Sequence, residues 1–551
     1  MTKTTSENLQ KTTTPLSFTG CGIWAAYFLF KFGLFWESYI DLNLFLNLLL
    51  FLAFCISFSN SRGNFVYKFL LSILALMLLY HDSYLPKPSQ IINQASYLAG
   101  FSFSYMLDLA AEFVNWTMVV ALFGIIFAIY ILGNWVRLTT LVSLCFIIAG
   151  TSKLSLSPEG KISYTADLQA CATTPASAGT ASSADIPAMT AAFSHENLEK
   201  YLENFYSHEK QRIVPMPEKL PSTHAPFDIV ILNICSLATD DIEAENLTGH
   251  SLFDQFNVGF RNFNSAASYS APASLHLLRA NCGLELEDSI FNNRRPECEI
   301  ITSLEKIGYN VAFFMDHDGQ YSNYLTHIRN MGGIKAPLTA LKDLTQQYES
   351  FDGTPIYSDR ELFANYLQTV AEKNNGNTVS FFNLISLHDG NRVPGKSGTL
   401  AYGIRLKHLL NDIEYFTSQL EEKGRKTLFI MVPEHGAAIR GDKMQISKLR
   451  EIPTDRITRI PVMIKFVGFK NLPKEKIYID TPHSYMAISE IVRRAIEQNI
   501  FSAENNGTLQ DVVKDLPQTA PVSESTNAFF MLYNNRGYYK LKGDEWAPYN
   551  R

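Results

Sequence analysis

The side chains best suited to chemistry in this 551-residue chain stand directly after short apolar runs that have the composition of buried strands. They are Cys235, His388, Asp389, Glu434 and His435. Ligands of open α/β sheets bind at the carboxyl ends of the strands, so these side chains are expected to converge at one edge of a sheet. A thiol, an imidazole and a carboxylate brought together in this way favour a metal site.

A serine at a predicted helix start supplies a further group. The sequence YSAP at residues 269–272 precedes a helical stretch over 273–279. Taken alone, Ser270 would be an ordinary helix cap, with Pro272 in the first turn where its missing N–H does no harm. Beside a metal site the same hydroxyl becomes a candidate nucleophile, because helix N-termini bind phosphoryl groups and a metal or a base activates serine. Sulfur, nitrogen and oxygen donors together suit tetrahedral zinc, whereas magnesium and calcium take oxygen ligands.

The cysteines of the polar part of the chain predict one disulfide. Cys282 and Cys298 lie sixteen positions apart, and a bridge that closes a loop of this size stabilises a secreted domain by roughly 3 kcal/mol. Cys235 then has no obvious partner in that domain, which favours its role as a thiolate ligand. The alternative is a bridge from Cys235 to Cys171, which would remove that ligand.

The elements that position these residues begin near residue 226, where apolar runs and helical patterns alternate. The apolar runs are 228–234, 311–315, 379–387, 427–432 and 461–467. Apolar residues dominate these runs and do not alternate with polar ones, which is typical of strands in a parallel sheet with helices on both faces. The crossover helices are predicted at 364–373, 403–423 and 485–498, and a β-hairpin at 528–541. The pattern predicts an α/β catalytic domain over 226–551 with a mainly parallel central sheet.

The first 152 residues predict a helical transmembrane bundle of about five spans. The apolar stretches lie at 20–36, 42–58, 66–80, 116–136 and 138–148. Several are shorter than the roughly 20 residues that cross a bilayer, and the alternative is a set of buried helices in a soluble domain. Lys31 is a charge inside the first stretch and is expected to snorkel or to face the bundle interior. The basic short loops place the N-terminus in the cytoplasm and the catalytic domain outside.

Residues 153–225 predict a flexible linker. They are rich in Ala, Ser, Thr and Pro, a composition that cannot bury enough apolar surface to order itself. One helix near 195–206 is expected to interrupt the linker. The chain has a formal net charge of −6 and no basic block, so nothing in its charge pattern indicates a nucleic-acid partner.

Five stretches of the outer domain resemble a known enzyme family. They read LNICSL at 232–237, FNSAASYSAP at 263–272, LHDGN at 387–391, VPEHG at 432–436 and LPQTAPVSE at 516–524. In this order they are similar to the phosphoethanolamine transferase of bacterial cellulose synthesis systems, within the alkaline phosphatase and sulfatase superfamily. The membrane region matches that family in kind.

The resemblance assigns roles to individual residues. It implies a zinc site made by Cys235, Ser270, Glu434 and His435. Ser270 would also be the nucleophile, and His388 would be the acid/base. The phosphoryl pocket would be lined by Tyr269 and Arg450.

The wider superfamily differs at several of these positions. Lipid A phosphoethanolamine transferases typically carry a carboxylate in place of Cys235, a threonine in place of Ser270 and Asp-His-Gly in place of residues 434–436. These differences agree with the cellulose-linked branch. No complete second ligand set is visible in the sequence, which leaves the number of metal ions open, with His317 and His483 as spare candidates.

The resemblance implies an enzyme of the bacterial inner membrane with a periplasmic catalytic domain. It would transfer phosphoethanolamine from phosphatidylethanolamine to glucose 6-hydroxyls of secreted cellulose through a covalent serine intermediate, with the cellulose synthase complex as a partner. Three alternatives stay open: a transferase that modifies lipid A or another glycan, a phosphatase-like or sulfatase-like hydrolase, and a cellulose synthase scaffold with a vestigial site.

Overall fold

The structure is a computed structural model that describes residues 16–83, 137–155 and 194–549 with short gaps. The gaps are 19, 37–39, 41, 373–375, 397, 443 and 446, and a few single positions between 119 and 131 are described as well. The chain divides into two compact units. The second, which continues from residue 180 to the end, contains all the candidate site residues.

The N-terminal unit is helical, with one short strand pair. Its α-helices are α1 (Ala25–Trp36), α2 (Leu44–Phe54), α3 (Ser61–Asp82) and α4 (Leu138–Ser155), and its strands are β1 (Leu16–Phe18) and β2 (Ile56–Phe58). Within the described residues, α3 alone is long and apolar enough to cross a membrane, and α1, α2 and much of α4 are shorter apolar helices. The bundle of about five spans therefore stays a prediction. Most of the fourth predicted span lies outside the described residues.

Lys31 faces the interior of this unit, which is one of the two placements predicted for it. Its ammonium nitrogen lies 2.9 Å from Oδ2 of Asp82 and donates to Oδ1 of Asn47 at 2.8 Å. The side chains of Lys31 and Asp82 are almost fully buried, so each ion offsets a charge that would be costly alone in apolar surroundings.

The second unit is built on a mixed sheet. Its strands are β3 (Asp228–Cys235), β4 (Val258–Phe260), β5 (Asn310–Met315), β8 (Thr378–Leu384), β9 (Thr427–His435), β10 (Met463–Val467) and β11 (Ile477–Ile479), with β6 (Gln346–Glu349) and β7 (Pro355–Tyr357) forming a separate pair. The order across the main sheet is β11-β4-β10-β9-β3-β8-β5. Strands β9, β3, β8 and β5 run parallel, and β10 is antiparallel to both of its neighbours. The prediction of a mainly parallel sheet is confirmed.

Helices pack against both faces of this sheet. They are α5 (His195–Glu209), α6 (Thr239–Ala244), α7 (Ser251–Asp254), α8 (Ser270–Leu278), α9 (Glu287–Asn292), α10 (Ile300–Lys306), α11 (Tyr324–Gly332), α12 (Asp359–Tyr366), α13 (Tyr402–Glu422), α14 (Asp455–Thr458), α15 (Met486–Glu497) and α16 (Leu509–Val513). Along β3, Ile229 and Ile231 join the core that contains α8 and α15, whereas Val230 and Leu232 join the core that contains α12 and α13. Successive strand residues point to opposite faces, so a continuously apolar run is the sequence of a strand covered on both sides.

The C-terminal residues form a four-stranded antiparallel sheet of β12 (Val522–Glu524), β13 (Ala528–Tyr533), β14 (Arg536–Leu541) and β15 (Ala547–Pro548). Strands β13 and β14 are the predicted hairpin. Its turn residues Asn534 and Asn535 have positive φ angles of 48° and 59°. Asparagine tolerates this conformation, and a two-residue turn of this kind matches the twist of the strands it joins.

Part of the predicted linker belongs to the second unit. Helix α5 buries Leu198 and Phe205 in the same core as α8, and Glu209 accepts a hydrogen bond from the backbone N–H of Leu284 at 3.0 Å. The helix expected near 195–206 is confirmed, but it packs on the core of the second unit instead of standing in a tether. Residues 156–193 lie outside the described residues.

Cys282 and Cys298 form the predicted disulfide, with the sulfur atoms 2.08 Å apart. Cys235 is a free and buried thiol. Cys171, which the sequence left as an alternative partner for it, lies outside the described residues.

A buried histidine on α8 predicts a loss of stability in mild acid. His276 is almost fully buried and stacks on Tyr485, with ring centroids 6.3 Å apart. Burial, with a smaller contribution from Arg279, lowers the pKa of His276 to about 3, against about 6.5 in an unfolded chain. Because the unfolded state binds this proton more tightly, the free energy of unfolding falls as the pH drops below about 6.5. At pH 5 the contribution of this residue is about 2 kcal/mol.

Urea unfolding of the full chain in detergent, from about pH 7.5 down to about pH 5, measures this effect. The variant His276→Phe keeps a ring of similar size against Tyr485 and removes the titrating group. Its free energy of unfolding is expected to fall less over this range than that of the wild type, by about 2 kcal/mol. Parallel profiles for the two proteins would contradict the assignment.

Candidate metal centre and nucleophile

Strands β3 and β9 bring Cys235, Glu434 and His435 to one point. The strands are parallel neighbours, and Cys235 pairs with His435 after a shift in register at Ile234. The Cys235 sulfur, a Glu434 carboxylate oxygen and a His435 ring nitrogen all lie within 4.8 Å of one another. The three residues are fully buried. The structure therefore places together three side chains that the sequence analysis predicted to converge.

Helix α8 adds the Ser270 hydroxyl to this group. Ser270 is the first residue of the helix, and its Oγ lies 3.1 Å from Cys235 Sγ and 3.3 Å from His435 Nε2. The N-cap position belongs to Tyr269, which makes no side-chain capping hydrogen bond. Ser270 is thus not an ordinary helix cap, because its hydroxyl faces the strand-end group.

A buried polar network holds one carboxylate oxygen of Glu434. Its Oε1 accepts hydrogen bonds from Ser274 Oγ at 2.8 Å, Asn383 Nδ2 at 2.6 Å and Tyr324 OH at 3.3 Å. Asn233 Oδ1 in turn accepts from Asn383 Nδ2 at 3.0 Å and lies 2.9 Å from Ser274 Oγ, as the alternative acceptor of its single hydroxyl proton. The donors come from three different elements, α8, β8 and α11, so the orientation of the carboxylate is fixed from several sides.

The other oxygen, Glu434 Oε2, is buried and has no hydrogen-bond partner among the described residues. Leaving a carboxylate oxygen without a partner in a protein interior is costly. The free-energy cost disappears when a cation binds next to this oxygen. This atom is the clearest sign that the group suits a metal ion.

The imidazole of His435 has the orientation of a metal ligand. Its Nδ1 lies 2.9 Å from the carbonyl oxygen of Gly436, closer than Arg450 Nη1 at 3.4 Å, and because a carbonyl oxygen only accepts, Nδ1 carries the proton. The lone pair of Nε2 then faces Cys235 and Ser270. A backbone carbonyl that fixes the tautomer in this way is common behind metal-binding histidines.

The donor set suits zinc. Thiol sulfur, imidazole nitrogen, carboxylate oxygen and a nearby hydroxyl oxygen match the ligands of tetrahedral zinc sites, whereas magnesium and calcium would require oxygen donors throughout. Burial raises the pKa of Cys235 and of Glu434 and lowers the pKa of His435. A divalent cation reverses the first two shifts, since a ligating thiol or carboxyl group must be deprotonated.

Arg450 and Tyr269 lie beside this centre. Arg450 Nη1 donates to Ser236 Oγ at 3.3 Å, and its guanidinium lies 5.6 Å from the centroid of the Tyr269 ring. The Tyr269 hydroxyl donates to Glu451 Oε1 at 3.0 Å. A fixed cation next to a serine hydroxyl at a helix N-terminus provides positive charge for an anionic substrate.

His388 lies within electrostatic reach of Arg450. Burial, and then Arg450, lowers the pKa of His388 to about 4, so its imidazole is neutral near pH 7. Its Nδ1 lies 2.9 Å from the carbonyl oxygen of Asp389, which places the proton on Nδ1 and the lone pair on Nε2. A neutral imidazole with a free Nε2 lone pair is able to accept a proton from a substrate hydroxyl.

The two spare histidines make other hydrogen bonds. His317 Nδ1 lies 2.8 Å from Asp316 Oδ1, and His483 Nδ1 lies 2.7 Å from the carbonyl oxygen of Thr481. Neither belongs to the group formed by Cys235, Glu434 and His435. In the part of the chain that the structure describes, no second group of three such side chains lies this close together.

Sequence reasoning did not find the network around Glu434. Asn233 and Asn383 are the signals that could have revealed it, because each is an amide side chain with large apolar residues on both sides of it in a buried strand. A buried amide in such a position needs partners. Ser274 and Tyr324 carry no comparable signal, since each lies on a helix of ordinary composition.

Comparisons with known proteins cover nearly the whole chain. The model of the cellulose biosynthesis protein BcsG N-terminal domain matches residues 24–150, and that of the cellulose biosynthesis protein BcsG C-terminal domain matches residues 182–546. The chain is 37% identical over 540 residues to cellulose biosynthesis protein BcsG of Salmonella typhimurium, with 96% of each chain covered. It is 36% identical over 541 residues to the protein of the same name from Escherichia coli K12, again with 96% of each chain covered.

Solved structures match at lower identity. The C-terminal periplasmic domain of EcEptC from Escherichia coli, in complex with Zn, is 9% identical with a TM-score of 0.40, and the match covers 57% of this chain and 93% of that chain. A protein of the alkaline phosphatase superfamily from Vibrio parahaemolyticus is 12% identical with a TM-score of 0.43, and the match covers 64% of this chain and 91% of that chain.

Proposed function

We propose, from the premise that this chain belongs to the BcsG family of cellulose biosynthesis proteins, that it is a zinc-dependent phosphoethanolamine transferase. The donor is phosphatidylethanolamine, and the acceptor is the 6-hydroxyl of glucose units in secreted cellulose. The observation that carries the proposal is the position of Ser270 Oγ, at a helix N-terminus and 3.1 Å and 3.3 Å from two candidate zinc ligands. Two other described serines also contact the group, Ser236 at Cys235 Sγ and Ser274 at Glu434 Oε1, but neither begins a helix.

The first half of the reaction forms a bond between Ser270 Oγ and the phosphorus of the donor. The bond from phosphorus to the diacylglycerol oxygen breaks, and the serine proton ends on that oxygen. The N–H groups at the start of α8 and the guanidinium of Arg450 hold the phosphoryl oxygens. A zinc ion held by Cys235, Glu434 and His435, when bound, lowers the pKa of the serine hydroxyl and offsets negative charge on the phosphoryl group.

The second half transfers phosphoethanolamine to the sugar. A glucose 6-hydroxyl attacks phosphorus, the bond from phosphorus to Ser270 Oγ breaks, and the sugar proton returns to the serine oxygen. We assign the proton transfers in both halves to His388, whose Nε2 lone pair is free to receive a proton. Tyr269 lines the phosphoryl pocket and is held in place by Glu451.

The N-terminal unit would hold the catalytic domain at the membrane. We propose a multi-pass anchor in the bacterial inner membrane, with the N-terminus in the cytoplasm, the catalytic domain in the periplasm and the cellulose synthase complex as a partner. Helix α3 supports the anchor, because Phe65, Leu76 and Met77 on it are exposed apolar side chains. An anchored site stays close to a donor that cannot leave the bilayer.

Purified full-length protein, with its zinc, in micelles that contain headgroup-labelled phosphatidylethanolamine tests the proposal. Without acceptor, mass spectrometry of the peptide that contains Ser270 is expected to show one phosphoethanolamine group. With cellopentaose, the label is expected to move to the sugar. Label released only to water indicates a hydrolase, label accepted by lipid A but not by the glucan indicates another transferase, and an unmodified peptide without label transfer contradicts the proposal.

A further inference from the structure

An exposed tyrosine lies close to the candidate acid/base. Tyr321 is 39% exposed although it is an aromatic residue in the short segment between β5 and α11. Its ring stands perpendicular to that of Phe351, with centroids 4.8 Å apart. The Phe351 ring stacks on His388, with centroids 5.0 Å apart. Phe351 itself is buried, so the three rings lead from the surface to His388.

The backbone beside Tyr321 has an unusual conformation. The next two residues, Ser322 and Asn323, have positive φ angles of 49° and 56°. Asparagine tolerates this region, whereas serine adopts it less readily, and strain of this kind concentrates where a protein positions functional groups. Gln320 N donates to Asp318 Oδ1 at 3.0 Å, and Leu325 N donates to the Gly319 carbonyl at 2.9 Å. These bonds fix the turn that presents the tyrosine.

We infer that Tyr321 is an acceptor platform that binds one glucose unit of a β-1,4-linked glucan while a neighbouring unit reaches His388. The inference rests on the proposed transfer to cellulose. A neutral polymer offers no charge for recognition, but the flat faces of its sugar rings carry C–H groups, and an aromatic face with negative quadrupole attracts them. Tyrosine presents such a face at a low cost in conformational entropy, because it has few rotatable bonds.

Measuring the two halves of the reaction separately distinguishes acceptor binding by Tyr321 from formation of the serine adduct. The donor half needs Ser270, the zinc ligands and the lipid, whereas the acceptor half also needs the sugar to be held near His388. Loss of the Tyr321 ring is expected to weaken acceptor binding and to leave formation of the covalent serine adduct unchanged. A loss of the overall fold would reduce both.

The test uses the full-length zinc protein in phosphatidylethanolamine micelles, with cellopentaose as acceptor and four variants. Tyr321→Ala is expected to raise the acceptor KM by about tenfold, the size expected for one lost aromatic contact, with adduct formation at the wild-type level. Tyr321→Phe and Tyr321→Trp keep a ring and are expected to stay within about twofold of the wild-type KM. Tyr478→Ala is the matched control, since Tyr478 is 42% exposed on β11, where its ring stacks on Arg261.

The outcomes are distinct. The proposal is wrong if Tyr321→Ala leaves the acceptor KM unchanged. It is also wrong if this variant loses adduct formation and transfer to the same extent. An equal rise in KM for Tyr478→Ala also overturns it, because the effect would then not depend on the site. Failure of the wild-type protein to form the adduct is the failure of the proposed function instead, and it is visible before any acceptor is added.

Discussion

Replacing Ser270 with alanine is expected to reduce phosphoethanolamine transfer by roughly 10⁴-fold or more, because the variant lacks the oxygen that forms the covalent bond. The rest of the centre should persist. Cys235, Glu434 and His435 belong to β3 and β9, and their positions do not depend on the serine hydroxyl. The variant is therefore expected to keep its fold, and to keep zinc on the three remaining ligands, while losing both the adduct and the transfer of label to cellopentaose.

Ser418→Ala serves as the control for this variant. Ser418 lies on α13, where its hydroxyl donates to the Glu414 carbonyl of the same helix, so the change removes the same atom from a helix of the same domain. Mass spectrometry of the peptide that contains residue 270, metal analysis and transfer of label are measured for both variants. Transfer by Ser270→Ala at more than a few per cent of the wild-type rate would contradict a nucleophilic role.

The reason Ser270 could be predicted from sequence is local. A serine before Ala-Pro at a helix start can be read from a few neighbouring residues, and an apolar run followed by Cys235 or by Glu434-His435 indicates a strand end by itself. The paired asparagines of the hairpin turn are similarly local. The sequence does not show how close these segments lie in space. Their closeness follows from the adjacency of β3 and β9 in the sheet, and that adjacency depends on the topology of the whole domain.

The parts that sequence reasoning missed depend on contacts between distant segments. Asn383 donates to Glu434 across 51 positions of the chain, and a polar residue in an apolar run does not reveal which group it will meet. Arg450 lies in an irregular loop between β9 and α14, so no periodic pattern predicts the position of its guanidinium. Only the family resemblance indicated a role for this residue. The helix at 195–209 was expected in a linker because its surroundings are rich in Ala and Ser, while its contact with the core depends on partners far along the chain.

Replacing Glu434 with glutamine is expected to remove the metal while preserving the protein. Glutamine has the same shape, and its amide oxygen can keep the hydrogen bonds that Oε1 now accepts from Ser274, Asn383 and Tyr324. The amide nitrogen then stands where Oε2 now lies without a partner. The neutral NH2 group of an amide donates hydrogen bonds and does not coordinate zinc. The change therefore replaces one ligand oxygen with a group that cannot bind the metal, and it leaves the hydrogen bonds to the other oxygen intact.

The expected result is a zinc content below about one tenth of the wild-type value, together with a loss of transfer of about 10³-fold or more. Metal analysis and thermal unfolding with and without a chelator measure the first part. A chelator should lower the unfolding temperature of the wild type, because bound metal stabilises the folded state, and should leave that of Glu434→Gln unchanged. The control is Glu504→Gln, the same substitution at an exposed residue.

The metal-free stability of Glu434→Gln decides between two explanations of a loss of activity. If the network holds, the variant should be at least as stable in chelator as the wild type in chelator, since the substitution removes a buried acid whose second oxygen has no partner. A variant that unfolds at clearly lower temperature than the chelated wild type would show that the carboxylate has a structural role of its own. A variant that keeps its zinc would show that the metal is held without Glu434, and the proposed centre would be wrong.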